Sequence, residues 1–174
     1  MVTPTFDISN QQERSTTRRP RPDGESLRYR LDVIAASASD VVQAAGGWLC
    51  DRVMAGWEVT VLLPDLGGSR PLEILGVHVA ALDAYPEAGS HNLAISAEAF
   101  TTNDCVRALV REALDRRMVE VALWGEGWPL GVNRGMRRVE HVLSAAARAF
   151  KGQALIAAGI PYRAIDPCEA MLTA

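Results

Sequence analysis

The densest chemistry in this chain lies in Trp124-Gly125-Glu126-Gly127-Trp128-Pro129-Leu130-Gly131-Val132-Asn133-Arg134-Gly135. Its glycines and proline force an irregular backbone path. Its tryptophans, glutamate, asparagine and arginine offer apolar, acidic, amide and cationic groups within one short segment. Loops carried on a rigid scaffold commonly hold function, and Trp and Arg dominate binding hot spots. Trp124, Glu126, Trp128, Asn133 and Arg134, with Arg138 just beyond, are therefore candidate ligand- or partner-binding residues. A purely structural role stands beside this one. In it Trp124 ends a buried strand, Trp128 caps the core, and Glu126 pairs locally with Arg134.

A second group of candidates follows from where strands should end. Ligands of open parallel sheets sit outside the strand carboxyl ends, which nominates Ser37 after a first strand and Asp65 after a second. The turn Ala35-Ala36-Ser37-Ala38-Ser39-Asp40 leads into a helix N-terminus, a place that favours anions. It lacks the glycines that let backbone wrap a phosphate, and Asp40 would repel one, so helix capping by Ser37 or Ser39 is the expected role. No nucleophile signature such as GxSxG is present, and no catalytic residue is assigned. Cys50, Cys105 and Cys168 have neither zinc nor CxxC spacing. His78, His91 and His141 are equally scattered, so neither a metal site nor a cofactor is expected.

The elements that must position these groups can be read from periodicity. Leu27–Ala36, Trp57–Leu63, Val77–Leu82, Leu93–Ser96 and Met118–Trp124 read as strands, rich in β-branched residues or nearly continuous in apolar ones. Val41, Ala45, Leu49 and Val53 recur every fourth residue, as one face of a helix ending near Gly56. Gly46-Gly47 in its middle should cost about 1 kcal/mol each relative to alanine, tolerable where something packs closely. Pro71 suits the first position of a short helical turn over Arg70–Gly76. Val106, Leu109, Val110, Ala113 and Leu114 mark a helix capped by Thr102 or Asn103. Val139, Val142, Leu143, Ala146, Phe150, Ala154 and Ala157 predict a long final helix stopping at Gly159. Arg134, Arg137, Arg138, Arg148 and Lys151 would then form a basic run along it, either a solvated face or a surface for an acidic ligand or partner. Arginines at a helix start oppose its dipole, which leaves them in need of a reason.

This alternation predicts an α/β fold: a mainly parallel sheet of about five strands flanked by helices, Rossmann-like and three-layered. Residues 1–26 hold few large apolar groups and read as a disordered, charge-balanced arm. Residues 27–160 form the single domain, and 161–174 a tail docking through Ile165 and Met171. No stretch is long and apolar enough to span a membrane, and the N-terminus has no apolar signal segment. A cytoplasmic location is the default. The net charge of −3 argues neither for nor against an anionic partner, and nucleic-acid binding is not expected. Lys151 is the sole lysine among 18 basic residues, a bias suited to a high-GC genome.

The phrases AGGWLCDRVMAGWEVTVLLPD, RPLEILGV, VEVALWGEGWPLGVNR and HVLSAAARAFKGQAL resemble segments of a small actinobacterial (mycobacterial-type) α/β protein family. That resemblance brings no activity with it. The residues alone favour a non-enzymatic regulatory or protein-interaction module, using the 124–138 loop and last helix on a protein partner. The alternative is a small-molecule-binding protein or enzyme, taking a nucleotide, phosphorylated or other small anionic ligand at the strand carboxyl ends.

Overall fold

The computed structural model describes residues 29–84, 92–116 and 120–174; the expected N-terminal arm lies outside them. Seven strands form one sheet: β1 (Arg30–Ile34), β2 (Glu58–Leu63), β3 (His78–Ala81), β4 (Asn92–Ser96), β5 (Val121–Trp124), β6 (Arg137–Val142) and β7 (Cys168–Thr173). Helices α1 (Ala38–Met54), α2 (Arg70–Ile74), α3 (Ala97–Thr102), α4 (Asp104–Arg116), α5 (Leu130–Asn133) and α6 (Ala145–Ala157) connect them. The strand order is β3-β2-β1-β4-β5-β7-β6. β1 to β5 are mutually parallel, and β7 runs antiparallel between β5 and β6.

Parallel strands are buried on both faces, and the composition of β1, β2, β4 and β5 reflects it. Val33, Val61 and Ala94 face a core built with Val41, Leu49, Leu72, Ala147 and Leu155 of α1, α2 and α6. Ile34, Leu62, Ile95 and Leu123 face a second core with Phe100, Val106, Val110, Trp128 and Val132. The period-2 alternation of each strand thus feeds two helical layers.

One buried ion pair ties the antiparallel end of the sheet to α1. Glu169 of β7 accepts hydrogen bonds from the Gly47 amide (2.9 Å) and the Trp48 amide (2.7 Å), both in the middle of α1. Lys151 of α6 donates to Glu169 (2.5 Å) and to the Gln43 carbonyl (2.7 Å). Both charged side chains are almost wholly shielded from solvent, at 7% and 3% exposure. Gly47 is required here. A Cβ on it would stand 2.5 Å from a Leu143 methyl in the segment between β6 and α6.

A second polar tie holds the last turns of α1. Asp51 accepts from His141 of β6 (2.8 Å) and from the Ser144 amide (3.2 Å). Burial alone would raise the Asp51 carboxyl; hydrogen bonds from Ser144 and His141 and the His141 charge outweigh it and hold it below its ordinary range.

The five expected strands and the helices on Val41–Val53 and Val106–Leu114 are all present. Three expectations are corrected. The sheet has seven strands, not five. Arg137–Val142 is a strand, because the valines at 139 and 142 sit on an exposed sheet edge, not a helix face, and the helix begins only after the Ser144 cap. The segment expected as a loosely docked tail supplies β7, held by ladders on both sides. No basic stripe forms. Arg137 and Arg138 lie on β6, and Lys151 is buried against Glu169, so no arginine of the 134–138 run opposes the α6 dipole.

Replacing Glu169 by Leu would leave the Lys151 ammonium buried without its counter-charge, at a cost of about 3–5 kcal/mol in urea unfolding. A loss below 1 kcal/mol would show that the pair contributes nothing. For Asp51, the lowered folded-state value means the unfolded chain takes up a proton first. Its contribution is therefore complete above the ordinary value of 3.8 and lost as pH falls through the folded one. Asp51→Asn should flatten the acid limb of the Tm-against-pH curve; an unchanged limb would refute the assignment.

Candidate functional site

Strands β2 and β4 leave β1 on opposite sides, so chain direction reverses between β1 and β4. This is the topological switch point at which open α/β sheets form a crevice beyond their strand carboxyl ends. The groups at this end of the sheet come from the turns after β1, β4 and β5.

After β1, extended backbone at Ser37 lets its hydroxyl accept from the Asp40 amide at 3.2 Å, starting α1 as expected of a cap. After β4, the buried Ser96 repeats the device on α3, accepting from the Ala99 amide at 3.1 Å. After β5 the chain turns at Gly125, which has φ +87° and stands so near Ala97 that a Cβ would meet the alanine methyl at 2.9 Å. Only glycine combines that left-handed backbone with that proximity.

Asp40 and Trp124 join these turns. The buried Trp124 indole donates to Asp40 Oδ1 at 3.2 Å, bridging the first turn of α1 and the end of β5. The other oxygen, Asp40 Oδ2, is shielded from solvent and has no hydrogen-bond partner among the described residues. Buried carboxylate oxygens normally have one, so a vacant acceptor at the switch point is the exceptional feature of this end of the sheet. Trp128 stands behind the pair. Its indole donates to the Trp124 carbonyl at 3.3 Å, and its ring packs on Phe100 with centroids 4.9 Å apart.

Of the candidates named from sequence, Ser37, Trp124 and Trp128 therefore converge around Asp40. Glu126 is exposed in the loop after β5. Asp65 is exposed and folds back on its own turn, accepting from the Gly67 amide at 2.9 Å. Asn133 ends α5, with its side chain outside the described set; Arg134 follows it, exposed. Arg138 lies on β6, separated from β5 by β7, and does not reach the crevice. Asp40 was overlooked as a site residue because an acid in a first helical turn is common, and its partner is 84 positions away.

Cys50 is not a ready nucleophile. It is buried, and its thiol is pushed up by desolvation and then by the charges of Asp51 and Glu169. Among the described residues no three His, Cys, Asp or Glu side chains gather as a metal would require. At the opposite, amino-terminal end of the sheet, Arg52 lies over the rings of Trp57 (4.3 Å) and Trp48 (5.4 Å). The recess beside them measures about 10 Å³, room for a single water.

No protein-family model and no curated protein matches the sequence. Solved structures do match the fold. One is the complex of a deacetylase with teicoplanin, from the teicoplanin biosynthesis pathway: TM-score 0.55, 14% identity, covering 83% of this chain and 97% of that one. Another is a zinc-inhibited form of teicoplanin deacetylase (0.52, 16%, 74% and 83%). A third is the deacetylase of the A40926 pseudoaglycone (0.51, 17%, 75% and 81%). The chain has the fold of these enzymes. That overturns the expectation of a non-enzymatic regulatory or interaction module built on the 124–138 loop and last helix. The structure agrees on its own terms, since much of that loop's aromatic surface, Trp124 and Trp128, is buried in the core and not displayed to a partner. Among the described residues no helix is long and apolar enough to cross a membrane.

Trp124→Phe keeps an aromatic side chain but loses the indole N–H, so Asp40 Oδ1 loses its donor. It should cost about 1–3 kcal/mol in urea unfolding. A loss within 0.5 kcal/mol, the range of ordinary surface changes, would mean that the indole–carboxylate bond contributes nothing.

Proposed function

We propose that this is a cytoplasmic small-molecule-binding protein or enzyme whose ligand sits at the carboxyl ends of β1, β4 and β5. The observation that carries the reading is the shielded, unpartnered Asp40 Oδ2 at the switch point. The β3-β2-β1-β4-β5 order supports it. We read this parallel part as Rossmann-like, with the crevice between β1 and β4.

The chemistry of the vacant acceptor selects the ligand. A carboxylate oxygen takes a hydrogen bond from a hydroxyl, amine or ammonium and repels a phosphate. The Ser37 hydroxyl accepts from the Asp40 amide as the α1 cap, which places Asp40 itself at this helix start. The ligand is thus a neutral or cationic molecule bearing hydroxyl or amino groups, not a nucleotide. The deacetylases that share the fold act on teicoplanin and on the A40926 pseudoaglycone, which places amino- and acylamino-bearing compounds first in order of trial.

Calorimetry and thermal shift on the full chain should show binding of glucosamine or N-acetylglucosamine and none of ADP. Asp40→Asn, which keeps an acceptor for Trp124 and replaces the vacant oxygen by a donor, should abolish that binding with Tm little changed. Acetate released from N-acetylglucosamine by the wild type and not by Asp40→Asn would make the site catalytic. Binding of ADP that survives Asp40→Asn, or no Tm shift with any of the three probes, would overturn the reading.

A further inference from the structure

We propose that two copies of this chain pair antiparallel through β6, joining their sheets into one. The inference is independent of the small-molecule site and rests on the geometry of one edge.

β6 stands at the end of the sheet and, among the described residues, pairs on one side only. Which of its backbone groups remain free follows from the ladder with β7. Val142 lies opposite Cys168, so the next pair is Leu143 with Pro167, and there the Leu143 amide donates to the Pro167 carbonyl at 2.8 Å. Directly hydrogen-bonded pairs alternate along an antiparallel ladder. Residues 137, 139 and 141 therefore spend their N–H and C=O groups on β7, and residues 138, 140 and 142 direct theirs outward.

The side chains obey the same parity. His141 reaches Asp51 of α1, and Val139 lies opposite Met171, which belongs to the core beneath α1. Arg138, Glu140 and Val142 project from the other face, all exposed, Val142 at 70%. An edge with free groups and an exposed β-branched residue is a template for another strand unless its charges forbid it.

Here the charges choose a register. A second β6 approaching antiparallel must set outward-directed residues opposite one another. Near the strand centre that leaves Arg138 on Arg138, Glu140 on Glu140, or Arg138 on Glu140. The first two place like charges directly opposite, which is destabilising. The third gives two symmetry-related Arg138–Glu140 pairs in directly bonded positions. It also sets Val139 against Val139 at the twofold axis and Met136 against Val142 at each end. Of these three registers only this one sets opposite charges against each other, and such a self-match fits the self-complementary patch of a twofold dimer.

The test is sedimentation velocity on the full chain from low micromolar to several hundred micromolar. The wild type should show a concentration-dependent dimer that weakens with salt. Glu140→Arg places like charges opposite one another and should weaken dimerisation about tenfold or more. The double variant Arg138→Glu, Glu140→Arg restores opposite charges and should restore the dimer. These side chains are exposed, so circular dichroism and Tm should be unchanged in all three proteins. A wild type that is monomeric throughout the range would overturn the proposal. So would a single variant as tight as wild type, or a double variant as weak as the single one.

Discussion

The carboxylate of Glu169 is the point on which the architecture closes. Gly47 N–H and Gln43 C=O are the two ends of one i to i−4 pair of an ideal helix. In this fold each of them also meets an ion, Glu169 on one side and Lys151 on the other. Four elements thereby acquire a fixed relation: α1 through its mid-helix backbone, α6 through Lys151, β7 through Glu169, and β6 through Leu143 pressed on Gly47. The helix-propensity cost of Gly46-Gly47, about 1 kcal/mol each, is offset by charge-assisted hydrogen bonds to Glu169, and a bulkier residue at 47 would press on Leu143. Such bonds to an ion contribute about 1.5–3 kcal/mol apiece. Removing one partner is a different matter from replacing both, because the survivor would be a charge with no water.

Because α1 is held in its middle by Glu169 and near its end by Asp51, its first turn has little freedom to drift. That first turn carries Asp40. The geometry at the strand carboxyl ends is therefore set largely from the antiparallel side of the sheet, by β6 and β7. These strands lie away from β1 and β4 yet fix the helix that brings the carboxylate to Trp124. The added antiparallel pair thus contributes to the switch point even though it lines none of it.

The parallel half of this arrangement was legible in the sequence for a physical reason. Strands buried on both faces must be apolar nearly throughout, and amphipathic helices must repeat near 3.6, so β1 to β5, α1 and α4 show themselves. The antiparallel half left no such trace. Most residues of β6 are exposed, so burial imposes no alternation on it, and valines at 139 and 142 match helical spacing as well as a strand edge. Lys151 looked like part of a basic face because its partner lies across the fold, in what read as a tail. The same blindness hid Asp40. Trp124 and Trp128 stood out by residue type, whereas an aspartate in a first helical turn is ordinary until a tryptophan from the fifth strand is found against it.

What distinguishes Asp40 from an ordinary capping acid is that its surroundings are only half suited to it. A carboxylate in the first turn of a helix is favoured by the dipole and by free amides, so its presence there needs no ligand. That accounts for the charge but not for Oδ2. Leaving a buried acceptor unsatisfied costs about 1–3 kcal/mol, and the cost recurs in every folded molecule. Ser37 and Ser96 accept from the Asp40 and Ala99 amides, each as the cap of its own helix. On the proposed reading Oδ1 is satisfied by the buried Trp124 indole, and Oδ2 is the acceptor kept for a ligand. The selectivity proposed for the site is by donor count and charge, set by that one carboxylate oxygen.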